Sequence, residues 1–296
     1  MKTLIINIGP SGDVVRTTVL LRELGGEIYW LTKDNCVPFL KSKKIKKIIC
    51  CENPEDIENI ENIVFDLIIS LNEEKDVLNI VKRLKTKKII GVYFDKNEKI
   101  VYTPESSYWF DMSLASKFGK KRADELKMEN RKSLPQILIE MIGKKWNGQE
   151  YDLGIEGKNA TKKIGIIKEV TGKWPNKGWK YYDELYLKLK NEGYDVAFLG
   201  LKPTIEEHIE DINNCEIVVC GDTLGMHIAL ALKKKVVTLF NCTSPNEIYD
   251  YGRLNKIVSP LLEKYFYKKE FNEEAVCAIS LEEVYSAVKK ALKREQ

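Results

Sequence analysis

The sequence has little of what several functional classes require. Only two of its 296 residues are histidines, and its seven cysteines form no Cys-x-x-Cys pair. An odd number of cysteines, several of them inside apolar segments, favours neither a disulfide framework nor a zinc site. No segment approaches the roughly 20 apolar residues of a membrane-spanning helix. The first residues enter a strand-like segment without a signal-peptide cleavage region, so we expect a cytoplasmic protein.

A strong charge of one sign is also absent. The formal net charge is only +4, and no nucleic-acid motif or interleaving of aromatic and basic residues occurs, which argues against DNA or RNA as a partner. Two lysine-rich runs, 41–47 and 82–88, are most simply solvated faces. The alternative is a basic surface for an anionic acceptor or for membrane headgroups, with peripheral association at the inner face of the membrane.

What the sequence does contain is a repeated alternation of short β-branched strands and amphipathic helices. This alternation predicts an α/β fold with doubly wound parallel sheets and helices on both faces. A chain of this length exceeds one ordinary core, so we predict two domains, 1–150 and 151–296, joined by a polar linker at 149–163. A closing helix at 281–293 belongs to the second domain or packs back on the first.

Residues 102–143 interrupt this rhythm. They contain aromatic residues such as Tyr108, Trp109 and Phe110 together with several basic ones, and they read as helices at the rim of the first domain. The alternative is that the aromatic side chains belong to the core. Elsewhere in the first domain, helical patterns are predicted at 14–24 and 35–43, and a strand at 64–71.

The turn after the first predicted strand, 4–9, carries one candidate site. Gly9-Pro10-Ser11-Gly12-Asp13 fits neither a P-loop, which needs Gly-Lys-Thr, nor the dinucleotide pattern Gly-x-Gly-x-x-Gly. Asp13 falls on the first turn of the following helix, where the helix dipole and free N–H groups favour an ionised carboxylate. The alternative is that Asp13 is only a favourable first-turn acid.

A second strand-to-helix turn lies within 220–232. Asp222 and Thr223 follow a strand at 216–220, at the edge of an open α/β sheet where ligands bind. Free backbone N–H groups there attract anions, and we expect Gly225 to let a ligand approach the backbone. With His227 nearby, the stretch predicts a site for a sugar phosphate or nucleotide. Alternatively, Asp222 and Thr223 simply cap the helix, and His227 is half-buried against the sheet.

Three segments, in order along the chain, carry a resemblance to one known family. They are residues 6–18, the turn Lys173-Trp174-Pro175, and residues 222–229 with the strand 236–240 after them. Together they resemble the heptosyltransferase-type glycosyltransferases (glycosyltransferase family 9), which have the GT-B fold. The family usually reads Asp-Ser/Thr-Gly-x-x-His, so Gly225 is one position late, but the spacing from Asp222 to His227 is kept.

The resemblance implies two Rossmann-like domains facing each other across a cleft, the N-terminal one on the acceptor side and the C-terminal one binding the donor. It implies an inverting, metal-independent transferase of the hexosyl- or heptosyltransferase class. Its donor is a nucleotide-diphosphate sugar such as ADP-heptose, and its acceptor is the hydroxyl of a saccharide or lipid-linked glycan. No cofactor is implied, because the nucleotide sugar is a co-substrate.

The resemblance also implies roles for individual residues. Asp13 matches the general base of the family, which takes the proton of the acceptor hydroxyl. The Lys173 ammonium, the Thr223 hydroxyl and backbone N–H groups near Gly225 would hold the diphosphate and stabilise the leaving nucleotide. The acceptor or phosphate loop contains Gly9, Ser11, Gly12 and Arg16, and the donor-binding positions are Lys173, Asp222, Thr223, Gly225, Met226 and His227.

Other classes remain open. A nucleotide-sugar epimerase or hydrolase of related fold would need more acid and base residues than this chain offers, and a non-catalytic sugar-phosphate-binding protein would use the same turns only to hold its ligand. A nicotinamide oxidoreductase is disfavoured, because the second strand ends at Thr32-Lys33-Asp34 without a clear ribose acid. The segment 200–214 is shorter than is usual in the family. This difference leaves the contacts to the nucleotide base and the ribose open. The sequence also leaves open the sugar, the acceptor and the oligomeric state.

Overall fold

A computed structural model of the protein describes residues 1–113, 118–158, 162–170 and 172–293. The chain divides into two compact units, Met1–Ile155 and Glu156–Gln296. Parts of the predicted linker (159–161) and of the predicted helical segment 102–143 (114–117) lie outside the described residues. Arg22 donates hydrogen bonds to the carbonyl oxygens of Glu150 and Tyr151, and Tyr151 is buried. The residues just before the division are therefore fastened to the first unit.

The first unit is built on a sheet with the strand order β3-β2-β1-β5-β7-β8. The strands in its described part are β1 (Lys2–Ile6), β2 (Glu27–Thr32), β3 (Ile45–Cys50), β4 (Val64–Phe65), β5 (Leu67–Ser70), β6 (Lys85–Thr86), β7 (Ile89–Phe94) and β8 (Ile100–Tyr102). β4 and β6 pair with each other in a small separate ladder. The strands of the main sheet run parallel, except that β7 and β8 are antiparallel. The chain leaves β1 with β2 on one side and β5 on the other, so the turn after β1 lies at a topological switch point, where ligands bind in such folds.

The helices of the first unit depart from the predicted pattern in two places. The described α-helices are α1 (Ser11–Thr17), α2 (Pro54–Glu61), α3 (Lys75–Arg83), α4 (Ser107–Phe110), α5 (Gly119–Glu129) and α6 (Leu134–Met141). The helix predicted at 14–24 is α1 followed by a 3₁₀ helix, Thr18–Arg22. The helix predicted at 35–43 is a 3₁₀ helix, Asp34–Phe39, with Pro38 inside it. Proline has no N–H to donate and clashes with the preceding turn, so an α-helix does not continue through it.

The strand predicted at 64–71 is also interrupted. It is divided into β4 and β5 at Asp66, whose carboxylate accepts a hydrogen bond from the Lys2 N–H. The basic run 82–88 is largely ion-paired, because Lys82, Lys87 and Lys88 contact Glu98, Asp66 and Glu105. This pairing supports a solvated face more than a free basic surface.

The second unit repeats the architecture, with a parallel sheet in the order β10-β9-β11-β12-β13. Its described elements are β9 (Ile164–Ile167), β10 (Val196–Phe198), β11 (Ile217–Gly221), β12 (Lys235–Phe240), β13 (Leu254–Val258), α7 (Tyr182–Asn191), α8 (Ile205–Asn213), α9 (Leu224–Ala231), α10 (Leu262–Tyr265), α11 (Glu273–Cys277) and α12 (Leu281–Lys293), with a 3₁₀ helix at Pro175–Lys177. The sheet is buried on both faces, which suits the apolar runs in these strands. Here the switch point lies between β9 and β11.

Two helices of the second unit bear on the predictions. α12 has the predicted bounds, and it packs on α7 and on β11, β12 and β13 of its own unit. α8 occupies most of the short segment 200–214, and the Thr204 hydroxyl caps it by accepting a hydrogen bond from the Glu207 N–H. Threonine followed by glutamate three residues later is a helix-start signal, and it marks the start of α8 in the sequence. None of the helices in the described parts of the chain combines the length and apolar character needed to span a bilayer.

Candidate functional site

The turn after β1 is held by side-chain amides. Asn7 Oδ1 accepts a hydrogen bond from the Gly9 N–H at 3.1 Å, and its Nδ2 donates to Thr17 Oγ1 at 2.8 Å. The Ile8 N–H donates to Asn72 Oδ1 at 2.9 Å, just past the end of β5. The φ of Gly9 is 111°, a conformation that favours glycine. Asn7 and Asn72 thus fix the turn from two neighbouring strands.

Asp13 stands on the first turn of α1 and forms an ion pair with Arg16 on the next turn. This contact uses Asp13 Oδ1, and the two side chains keep 32% and 11% of their surface exposed. The carboxylate is therefore accessible but oriented by the guanidinium. Ser11 lies in the same turn, with its hydroxyl 3.6 Å from Cys36 Sγ.

A small recess of about 50 Å³ opens beside Asp13. Its walls combine the amides of Asn7 and Asn72, the Thr17 hydroxyl and the Trp109 ring. A space of this size holds a few water-sized groups.

In the second unit, the turn after β9 packs directly against the end of β11. A Cβ atom at Gly221 would lie 2.4 Å from the carbonyl oxygen of Lys177, so glycine is required there. This close approach brings Lys177 Nζ to 2.7 Å from the Asp222 carbonyl oxygen and 3.0 Å from Asp222 Oδ2. His227 Nε2 lies 3.9 Å from Asp222 Oδ1. The largely buried Asp222 carboxylate is therefore placed between an ammonium and an imidazole.

Lys177 was not recognised in the sequence, which pointed to Lys173 instead. Lys173 is exposed, whereas the Lys177 side chain keeps only 20% of its surface exposed. The available signal was a second lysine two residues after Trp174-Pro175. The contact itself joins residues 45 positions apart, so local pattern could not reveal it.

Thr223 occupies the N-cap position of α9 but does not cap it. Its φ and ψ are −131° and 175°, and its side chain makes no capping hydrogen bond. Thr223 Oγ1 is buried without a hydrogen-bond partner among the described residues. The interpretation of Thr223 as a plain helix cap therefore does not hold, and its hydroxyl needs another partner, since unpaired buried polar groups cost free energy.

Gly225 lies where α9 packs closely on its neighbours, and the ligand approach predicted for it stays a prediction. A Cβ atom there would lie 2.3 Å from Ile167 Cδ1 and 3.8 Å from His208 Nε2. The absent side chain thus lets α9 approach β9 and α8 closely. Met226 and His227 are buried, with 0% and 5% of their surface exposed.

Metal ligands do not gather in the regions that the structure describes. Within 1–113, 118–158, 162–170 and 172–293, no three His, Cys, Asp or Glu side chains come together as a potential metal site. The groups that the two turns offer to a ligand are paired charges, hydroxyls and backbone N–H groups.

The four residues Lys177, Asp222, Thr223 and His227 form what we call the corner around Asp222. Comparison with known protein families gives a match that includes most of this corner. Residues 202–276 match the model of glycosyltransferase family 9 (heptosyltransferase). This family 9 segment contains the whole stretch from Asp222 to His227, so the predicted resemblance to the family is confirmed over that segment. No curated protein matches the chain.

Similar solved structures extend the likeness to the whole chain. A glycosyltransferase family 9 protein of Veillonella parvula has a TM-score of 0.71 at 13% identity, covering 99% of this chain and 98% of its own. The ADP-heptose lps heptosyltransferase II of E. coli has 0.69 at 14% identity, with 100% and 99% covered. The E. coli heptosyltransferase WaaC solved with ADP has 0.66 at 14% identity, with 98% and 100% covered. These likenesses confirm the predicted fold of two Rossmann-like units of the GT-B type.

Proposed function

We propose that this protein is an inverting, metal-independent glycosyltransferase. It would transfer a heptose-like sugar from a nucleotide-diphosphate sugar to a hydroxyl of a saccharide or lipid-linked acceptor. The observation that carries the proposal is the corner formed by Lys177, Asp222, Thr223 and His227, which lies at the switch point of the second sheet. Its central stretch falls inside the family 9 segment.

The second unit would bind the donor. The diphosphate would meet the Lys177 ammonium, the unpaired Thr223 hydroxyl and the free N–H groups at the start of α9. The exposed Lys173 would add a second, mobile cation, and Asp222 and His227 would position Lys177 from behind. These groups would stabilise the negative charge that develops on the leaving nucleoside diphosphate. Such stabilisation is the work that a metal ion does in other transferases.

The first unit would bind the acceptor. Arg16 holds Asp13 Oδ1, which leaves Oδ2 to accept the proton of the acceptor hydroxyl. The acceptor oxygen would form its bond to the anomeric carbon while the bond from that carbon to the diphosphate oxygen breaks. The electron pair leaves with the nucleoside diphosphate, and the configuration at the anomeric carbon inverts.

ADP-heptose is the first donor to test. One similar structure is the E. coli heptosyltransferase WaaC with ADP-2-deoxy-2-fluoro heptose, at 14% identity and a TM-score of 0.65. The diphosphate of such a donor suits the Lys177 ammonium and the N–H groups at the start of α9. We propose that the donor is used in the cytoplasm, on an acceptor at the inner face of the membrane.

A binding screen followed by a transfer assay tests the proposal. Thermal unfolding is measured with ADP, UDP, GDP and CDP, each with and without Mg²⁺, because a ligand that binds the native state raises its stability. We expect one of the four nucleoside diphosphates to raise the unfolding temperature, and by the same amount with and without Mg²⁺. Release of that diphosphate from its nucleotide sugar should then depend on a saccharide acceptor. Binding that requires Mg²⁺, or release without any acceptor, would contradict the proposal.

A further inference from the structure

A cavity of the first unit lies between α4, with the turn that follows it, and α5. Its volume is about 510 Å³, and sites for small molecules commonly have volumes of about 300–1,000 Å³. The apolar and aromatic side chains in its lining are Tyr108, Met112, Phe118 and Leu126. Met112 is buried, whereas Tyr108 and Phe118 keep 44% and 51% of their surface exposed. Two large rings around this α4–α5 cavity thus remain in contact with water.

The polar groups Asn130 and Arg122 of the lining already have partners within the protein. Asn130 Oδ1 accepts hydrogen bonds from the Tyr108 hydroxyl at 2.8 Å and from the Lys132 N–H at 2.9 Å, and Nδ2 donates to the Lys132 carbonyl oxygen. The Arg122 guanidinium lies 3.4 Å from the Glu129 carboxylate. A ligand rich in hydroxyls would compete with these contacts, whereas a hydrocarbon chain leaves them intact. The α4–α5 cavity therefore favours an apolar ligand.

α4 connects the α4–α5 cavity with the recess beside Asp13. Trp109 lines the recess, while its neighbour Tyr108 lines the larger cavity. Phe110, the next residue, is buried in the core and holds the helix in place. A helix with its side chains is about 10–12 Å across, so one glycolipid molecule is long enough to reach from the recess to the cavity.

We propose that the α4–α5 cavity binds the hydrocarbon chain of a lipid-linked acceptor whose saccharide lies beside Asp13. This inference rests on the proposed function, which assigns the acceptor to the first unit, and it selects a lipid-linked acceptor over a free saccharide. A chain in contact with Phe118 and Leu126 withdraws apolar surface from water, and each buried methylene contributes about a factor of four in affinity. Met112 adds a flexible side chain that adapts to the shape of the chain.

Alkyl glucosides are suitable probes, because their head group is uncharged and their chains differ only in length. A charged head group is avoided because Asp111 and Glu129 bring two carboxylates to the cavity and Arg122 one guanidinium. Titration calorimetry with the full chain compares methyl, hexyl and octyl β-glucoside, each below its critical micelle concentration. ADP is titrated separately as a measure of the donor site.

Wild type is compared with Phe118→Asn, Leu126→Trp and the control Phe271→Asn. Phe118→Asn removes an apolar wall at a half-exposed position, and Leu126→Trp fills the cavity with a larger ring. Phe271 is exposed in the second unit, so the control loses the same side chain away from the cavity. We expect wild type and the control to bind octyl glucoside about 10-fold or more tightly than hexyl glucoside, the effect of two methylenes. Phe118→Asn and Leu126→Trp should abolish this gain at unchanged affinity for ADP.

The transfer assay then connects the chain with the acceptor. The saccharide that accepts the sugar is supplied free and as its octyl glycoside. We expect the octyl glycoside to have a KM about 10-fold or more below that of the free saccharide in wild type, at similar kcat. The two KM values should be alike in Phe118→Asn. A merely structural role of Phe118 would change the kinetics of both acceptors and would keep the difference between them.

The outcomes separate this inference from the proposed function. If wild type gains nothing from the longer chain, or the two cavity variants keep the gain, the chain assignment is wrong while the proposed function stands. Equal KM values in wild type would also overturn it. Binding to phosphatidylcholine vesicles that is lost in Phe118→Asn but kept in Leu126→Trp would assign the exposed rings to a bilayer surface in place of a single chain. If no nucleoside diphosphate binds, or no saccharide accepts the sugar, the proposed function itself fails.

Discussion

Lys177 Nζ donates hydrogen bonds to both the main-chain carbonyl oxygen and the carboxylate of Asp222, at 2.7 and 3.0 Å. The ammonium is thus held at the end of β11. It has three N–H groups, so one remains to donate a hydrogen bond to a ligand. A cation fixed in this way needs little reorganisation to meet an anion. The Lys177–Asp222 pair is the feature on which the proposed donor site depends.

Lys177→Met should weaken binding of nucleoside diphosphates more than Lys173→Met. The anchored ammonium is expected to contribute about one factor of ten or more, as charge-assisted hydrogen bonds do, whereas an exposed lysine is screened by water. Titration with ADP measures the difference. Lys177→Met should also unfold at a lower temperature, because Asp222, with 12% of its side chain exposed, loses its cation. A larger loss of affinity for Lys173→Met would reverse the roles of the two lysines.

Asp13→Asn should keep affinity for the donor but lower turnover by about 10²–10⁴-fold, the usual contribution of a general base. The measurement is kcat for nucleoside diphosphate release in the presence of acceptor, with donor binding measured separately. Arg16→Gln is the companion variant, and it should lower kcat less because it disturbs only the orientation of Asp13. Unchanged turnover in Asp13→Asn would show that the first unit only binds, as in a non-catalytic protein.

Gly225→Ala should destabilise the protein even though alanine favours helices. The new Cβ would lie 2.3 Å from Ile167 Cδ1, and overpacking of this kind typically costs about 1–3 kcal/mol. The free energy of unfolding in urea measures the effect. Gly172→Ala is the control, since a Cβ there meets nothing within 4 Å. Adding Ile167→Val, which removes the Cδ1 atom, should restore part of the loss; without any rescue, the packing account of Gly225 is wrong.

His208 should make stability depend on pH. Its pKa is lowered by burial, so the unfolded chain binds a proton at a higher pH than the folded chain does. The stabilising difference is fully present above the ordinary imidazole pKa of about 6.5 and is lost as the pH falls below it. Between pH 7.5 and 5, the unfolding temperature should therefore fall more steeply for wild type than for His208→Gln. Parallel curves would show that the imidazole is not desolvated in the folded protein.

The sequence by itself determined the class of fold and the positions of several turns and element boundaries. The bounds of α12 agree with the predicted 281–293, because hydrophobic periodicity is a local property. The two strand-to-helix turns at the switch points could also be located, since a parallel α/β sheet places such turns at its carboxyl edge. Local pattern failed at Asp34–Phe39, where Pro38 prevents an α-helix.

Only the tertiary structure decided which side chains meet. The Lys177–Asp222 pair joins residues 45 positions apart, and the packing of Gly225 on Ile167 depends on the distance between a helix and a strand. The exposure of Lys173 and the apolar lining of the α4–α5 cavity likewise depend on what surrounds each side chain. Periodicity specifies which face of an element is apolar, but contacts between elements follow from how close their backbones approach, and no local signal in the chain carries that distance.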